Sequence, residues 1–175
     1  MVETIKKAIR EVPDFPKPGI NFKDITTLLN NPEAFKGTLD LLENHYKGKE
    51  IDFIVGLESR GFIFGCPIAD RLGAAFVPIR KPGKLPGAVE SVTYDLEYGS
   101  DTLQIHKDAF ASSSRKKVLI IDDLLATGGS AAATVELIKK AGGTPIGAAF
   151  VIELDFLKGK DKLPKGFEIY SLVHY

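Results

Sequence analysis

The sequence predicts an α/β fold with a mainly parallel central sheet flanked by helices. Three observations carry that expectation. Apolar, β-branched runs recur at residues 51–57, 74–80, 116–122, 146–154 and 167–175. Segments with helical spacing separate several of them, and strands alternating with helices imply parallel pairing. Two of the runs lead straight into loops that open helices, "ESRGF" after 51–57 and "ATGGS" after 116–122. In sheets of this kind ligands bind beyond the carboxyl ends of the strands.

Residues 2–12 place Ile5, Ala8, Ile9 and Val12 at helical spacing, and Pro13 is expected to stop that helix. "PDFPKPGINFKD" follows, with three prolines and a glycine, and reads as ordered and non-helical. Pro32 stands where a helix start favours it and leads into the amphipathic "EAFKGTLDLLENHY". "IDFIVGL" reads as a buried strand, "SRGFIFGCPIADRLG" as a loop and a helix ending near Gly73, and "AAFVPIR" as a strand. Cys66, in apolar "FGCPIA", is expected to be packing. Residues 81–106 break the alternation. Thr93 and Tyr94 against Leu103 and Ile105, around "EYGSD", predict a hairpin, and such an excursion from an α/β core is often a functional lid. "KKVLIID" is a strand and residues 130–141 a helix closed by Gly142 and Gly143. The runs at 146–154 and 167–175 supply two more strands.

The length, 175 residues, suits one domain with a substantial core. Lys plus Arg equals Asp plus Glu at 23 each, so no bulk charge draws the chain to nucleic acid or a membrane surface. No apolar run approaches the roughly 20 residues of a membrane-spanning helix. The first residues are charged and lack the apolar core of a leader peptide. A single cysteine excludes an internal disulfide and suits a reducing compartment. The expectation is a soluble, cytoplasmic domain. His45, His106 and His174 are scattered and suggest no metal site.

The chemistry concentrates in "VLIIDDLLATGGS". Ala126, Thr127, Gly128, Gly129 and Ser130 form a small-residue loop between a strand and a helix. Such a loop lets backbone N–H groups approach a phosphate, and the helix N-terminus adds favourable partial charge. The glycines are followed by neither Gly-Lys-Ser/Thr nor the dinucleotide pattern GxGxxG, which excludes those two cradles. Asp122 and Asp123 stand before the loop and need a different partner from the phosphate. The vicinal hydroxyls of a ribose 5-phosphate supply one, because two adjacent carboxylates can accept from two adjacent hydroxyls. Arg60, in the other loop, can make paired bonds to a second phosphate group.

This segment resembles the phosphoribosyl-diphosphate (PRPP) binding motif of the type I phosphoribosyltransferases. "DFPKPGINFKDIT", "GLESRGFIFG", "IRKPGKLPG", "DLEYG" and "IELDFLKG" extend the resemblance in order over nearly the whole chain, and "LESRGF", "KLPG" and "LEYG" narrow it to the adenine-using branch. The resemblance implies one domain over 1–175, with a small hood from about 1–30 and the C-terminal part, and a flexible hairpin lid at about 81–106. It implies transfer of the phosphoribosyl group from PRPP to adenine, giving AMP and pyrophosphate, with Mg²⁺ carried by PRPP and a homodimer as the assembly. Asp122, Asp123 and residues 126–130 then hold the ribose 5-phosphate. Ser59, Arg60, Arg80, Lys81 and Lys84 meet pyrophosphate. Glu97 and Arg60 are the catalytic residues, with Glu97 closing over the purine and assisting proton transfer, and Tyr98 covers the ribose or leaving group. Main-chain groups of Asn21, Phe22 and Lys23 read adenine, with Phe22 and Leu154 as apolar cover. The family commonly has an apolar residue at Asn21 and an arginine at Lys23. Two alternatives stay open, a 6-oxopurine phosphoribosyltransferase and a non-catalytic PRPP-binding regulator. The second would want a DNA-binding part and basic charge that the sequence lacks.

Overall fold

The computed structural model describes residues 1–96 and 98–175. The chain divides into two compact units, Met1–His45 and Tyr46–Tyr175.

The first unit contains α1 (Val2–Ala8), β1 (Arg10–Val12), β2 (Phe22–Asp24), α2 (Thr26–Leu29) and α3 (Pro32–Tyr46) up to His45. The helix expected over 2–12 stops at Ala8, and its last residues pair antiparallel with β2, Val12 opposite Phe22 and Arg10 opposite Asp24. Pro13 explains part of this, because a residue before proline is driven out of the α region. Cross-strand ion pairs reinforce it: Arg10 Nη2 lies 2.5 Å from Asp24 Oδ2, and Lys23 Nζ 2.9 Å from Glu11 Oε2. The "non-helical" segment thus holds a short strand. The sequence reading also missed α2, whose Thr27 hydroxyl donates to the Ala8 carbonyl at 2.6 Å.

The second unit holds β3 (Phe53–Leu57), α4 (Arg60–Leu72), β4 (Ala75–Ile79), β5 (Val89–Asp95), β6 (Ser100–His106), β7 (Lys117–Leu125), α5 (Gly129–Lys140), β8 (Thr144–Glu153) and β9 (Glu168–His174). Five of these strands form the expected parallel sheet, in the order β4-β3-β7-β8-β9. β3 is buried along its whole length, as a strand covered on both faces must be. α4 packs on β3 and β7, and α5 on β7 and β8.

The hairpin is present but its register differs from the expected one. Tyr94 faces Asp101 and Thr93 faces Thr102, while Leu103 opposes Val92 and Ile105 opposes Glu90. Its alternate side chains Val92, Leu103 and Ile105 are buried in the same core as β3 and β7, packed against α5. Arg80 and Gln104 exchange two backbone hydrogen bonds of 3.0 and 2.8 Å, so β6 also covers the open edge beyond β4. The alternate side chains Val92, Leu103 and Ile105 are therefore core, while Ser91, Thr93 and Asp95 on the other face and Leu96 and Tyr98 near the turn are exposed. Cys66, expected as packing, is exposed on α4.

Candidate active site

A crevice forms where the sheet changes direction. After β3 the chain places β4 on one side and β7 on the other, so the loops leaving β3 and β7 diverge at their carboxyl ends. A cavity of about 230 Å³ opens there. Of the residues predicted for the site, Arg60, Lys81, Asp122, Asp123, Ala126, Thr127, Gly128 and Ser130 line it.

Two glycines set how closely the parts approach. Gly61, in the first turn of α4, lies over the end of β7, and a Cβ there would come within 2.9 Å of Asp122 Oδ1 and of the Ile121 carbonyl. Gly128 caps α5 with φ +80°, a left-handed conformation that favours glycine. A Cβ on Gly128 would also run into the Gly159 carbonyl, and one on Gly159 into the Ala126 carbonyl. The "ATG" turn therefore lies backbone against backbone on residue 159, with the first-turn N–H groups of α5 beside it.

The acids are strained electrostatically. Asp122 Oδ1 accepts the Asp123 N–H at 2.9 Å. Asp123, 4% exposed, takes the Arg60 Nε at 2.7 Å. Burial drives the Asp122 carboxyl well above the usual carboxylate range, and the Asp123 charge beside it adds to the effect. Burial also raises Asp123, against the pull of Arg60. Such perturbed, paired carboxylates in a cleft mark a functional site.

Each cation named here has an acid at hand. Arg80 Nε sits 3.4 Å from Glu58 Oε2, whose carboxylate also accepts the Lys81 N–H at 2.8 Å and stays below its usual range because of that bond. The Lys81 ammonium pairs with Asp101 of the hairpin, and the Tyr94 hydroxyl donates to the same carboxylate at 3.3 Å. Burial, then Asp101, pushes the Tyr94 phenol up to about 12, so it remains a donor at neutral pH. The Glu58–Ser59 peptide is cis.

Other predicted residues sit apart from the cavity lining. Ser59 caps α4, and Gly129 opens α5 beside the Tyr94 ring. Lys84 is exposed, its N–H donating to the Lys81 carbonyl at 3.3 Å. Tyr98 is 76% exposed at the hairpin tip. Glu97 lies outside the described residues. In the first unit Asn21 Nδ2 donates to Glu11 Oε2 at 2.6 Å, which also holds Lys23, so both side chains are engaged locally. Phe22 meets Phe15 edge to face at 5.3 Å beside a hollow of about 290 Å³ lined also by Val12 and Asp24. Leu154 follows β8 in the second unit, half-buried, with its N–H on the Leu125 carbonyl. Glu58, Tyr94, Asp101 and Gly159 escaped the sequence reading. Glu58 stood inside "ESRGF" without an assigned role. The roles of Tyr94 and Asp101 depend on a hairpin register that sequence alone misjudged.

Among the described residues, the one group of three His, Cys, Asp or Glu ligand atoms within 4.8 Å of one another is Glu153, Asp155 and His174. Lys160 Nζ sits 3.0 Å from Glu153 Oε1 there, which makes the group an ion-paired cluster.

Residues 24–173 match the phosphoribosyl transferase domain family. The chain is 55% identical over 173 residues to the adenine phosphoribosyltransferase of Acidobacterium capsulatum, covering 99% of this chain and 94% of that one. The solved adenine phosphoribosyltransferase of Thermoanaerobacter pseudethanolicus superposes with a TM-score of 0.92 at 47% identity, covering 100% of both chains. That of Saccharomyces cerevisiae, solved with adenine and D-2,5-dideoxy-2,5-imino-altritol 1,6-bisphosphate, gives 0.89 at 44% identity over 98% of this chain and 97% of that one. With this identity over nearly the full length of both chains and the same fold, this chain belongs to the adenine phosphoribosyltransferase family of the type I phosphoribosyltransferases.

Proposed function

We propose that the chain transfers the 5-phosphoribosyl group of PRPP to adenine, giving AMP and pyrophosphate, the step by which a free purine base is salvaged. One observation carries the reading. The carboxylate pair of Asp122 and Asp123, the small-residue turn opening α5, and the Arg60 guanidinium all face one cavity at the switch point of the sheet. That set matches the three parts of PRPP, namely vicinal hydroxyls, 5-phosphate and pyrophosphate.

In this reading Asp122 and Asp123 accept from the ribose hydroxyls, and residues 126–130 take the 5-phosphate at the helix N-terminus. As the bond from the sugar carbon to pyrophosphate breaks, charge grows on the leaving group. Arg60, Arg80, Lys81 and Lys84 stabilise that charge, while Ser59 offers a donor from the same loop. Lys81 exchanges Asp101 for a phosphate oxygen to do so. Glu97 is the carboxylate that offsets the cation-like sugar and accepts the ring proton that adenine loses. Tyr98 closes over the site, and Asn21, Phe22, Lys23 and Leu154 serve the base. Mg²⁺ would come with PRPP, held mainly through its phosphates and water with the carboxylate oxygens of the same cavity in support, and would offset the phosphate charge. The assembly is a homodimer working in the cytoplasm. No helix of the described residues is long and apolar enough to cross a membrane.

The test offers PRPP and Mg²⁺ with adenine, hypoxanthine, guanine or xanthine and follows each nucleotide. Adenine presents a donor beside a ring acceptor, and hypoxanthine the reverse. A site built for one therefore leaves polar groups unpaired with the other, which can separate specificity constants by about 10⁴-fold. AMP formation preferred on that order is expected. Comparable constants for hypoxanthine would replace adenine with a 6-oxopurine as the substrate.

A further inference from the structure

The segment that follows β8 folds into two short 3₁₀ turns, Asp155–Leu157 and Gly159–Lys162. Its middle touches the cavity loop. Gly159 is buried, and its backbone approaches Ala126 and Gly128 so closely that neither glycine has room for a Cβ. A contact of backbone on backbone transmits position directly, because no flexible side chain lies between the parts.

Something must hold the turn in place. Lys158, just before it, adopts φ +52°, unusual for a residue with a side chain. Lys160, just after, places its ammonium 3.0 Å from Glu153 Oε1. Glu153, at the end of β8, is 2% exposed, and a buried carboxylate is unfavourable unless charge-paired and hydrogen-bonded. Its other oxygen accepts the Ser171 hydroxyl of β9 at 2.7 Å. The carboxylate is thus anchored to the sheet on one side and holds the turn on the other.

Resting on the phosphoribosyl-transfer reading above, we propose that Glu153 and Lys160 are positioning residues for the 5-phosphate. Through their ion pair they hold the Gly159 main chain as the outer wall of the cradle formed by residues 126–130. Neither side chain touches the substrate. They act by keeping the Ala126–Gly128 turn in the one arrangement that aims its N–H groups at the phosphate. This gives "IELDFLKG" and the Lys160 that follows it a second duty beside Leu154.

The test uses the full chain and separates the two ends of PRPP. Calorimetry measures ribose 5-phosphate and, independently, pyrophosphate with Mg²⁺, for wild type, Lys160→Met, Lys160→Arg and Gly159→Ala. Displacement of a pre-aligned loop should weaken ribose 5-phosphate about tenfold in Lys160→Met and Gly159→Ala, with pyrophosphate within about twofold of wild type. The KM for PRPP should rise by a larger factor than kcat falls, and Lys160→Arg should restore most of the loss. Equal loss for both ligands would mean general damage and would overturn the proposal. So would ribose 5-phosphate affinity within about twofold of wild type in Lys160→Met. If Lys160→Met fails to fold, Lys160→Gln decides in its place. A wild-type chain that binds no ribose 5-phosphate would instead overturn the phosphoribosyl reading itself.

Discussion

Replacing Asp122 by Asn should make the protein more stable and a poorer binder at once. Asp122 is half-buried, and both burial and the neighbouring Asp123 raise its pKa from the ordinary 3.8. The folded state then holds a proton more tightly than the unfolded chain does. Stability therefore falls as the pH rises from about 4 through the raised folded value, and at neutral pH the carboxylate is a net cost. Asparagine keeps the Oδ1 that accepts the Asp123 N–H at 2.9 Å, and its amide faces Asp123 without repulsion. A buried polar group incompletely satisfied costs about 1–3 kcal/mol. Partial exposure of Asp122 favours the lower end, and in a chain of this size 1 kcal/mol moves Tm by about 2–4 °C. Asp122→Asn should gain about that much at pH 7.5 by scanning calorimetry, with the gain shrinking toward pH 4.5 as the wild-type carboxyl takes up its proton. Affinity for AMP should fall about five- to tenfold, because a neutral acceptor replaces a charged one at the ribose hydroxyls. A lower Tm at pH 7.5, or the same gain at both pH values, would refute the electrostatic argument. Unchanged AMP affinity would refute the ribose assignment.

Three further outcomes are expected. Glu97→Gln should slow the chemical step by about 10²-fold in single-turnover kinetics, the usual scale for a positioned acid–base group, with KM values moving much less. A step at wild-type speed would place the catalyst elsewhere. Asp101→Asn removes the carboxylate that competes with pyrophosphate for Lys81. Since a part-exposed pair is worth up to about 1 kcal/mol, pyrophosphate should bind up to about fivefold tighter, and weaker binding would show that Asp101 aims Lys81 instead. Hydrogen exchange with and without PRPP should change around residues 81–88 and at Leu96, Tyr98 and Gly99, while Val92, Leu103 and Ile105 stay protected in the core. Large changes at those three would mean that the whole hairpin, not its tip, closes.

Local pattern and covalent spacing were enough to reveal the parallel sheet, the strand–loop–helix units at Arg60 and at residues 126–130, and the adjacent acids at the end of β7. Period, glycine placement and β-branched runs are properties of neighbouring residues and can be read without knowing what packs on them. The same locality explains the errors. Residues 10–12 carry helical spacing, yet β2, ten residues onward, claims their backbone for pairing. Cys66 shares an apolar run with buried residues but is itself exposed, on a different side of α4 from Phe64, Gly65, Ile68 and Ala69. In the hairpin a different register changes every cross-strand neighbour, which moved Asp101 opposite Tyr94 and within reach of Lys81. Only the tertiary structure could bring Glu58 to Arg80, Arg60 to Asp123, and Gly159 against Gly128. These are meetings of segments tens of residues apart, decided by which strands lie side by side and how closely two backbones can approach, and neither leaves a periodic trace in the chain.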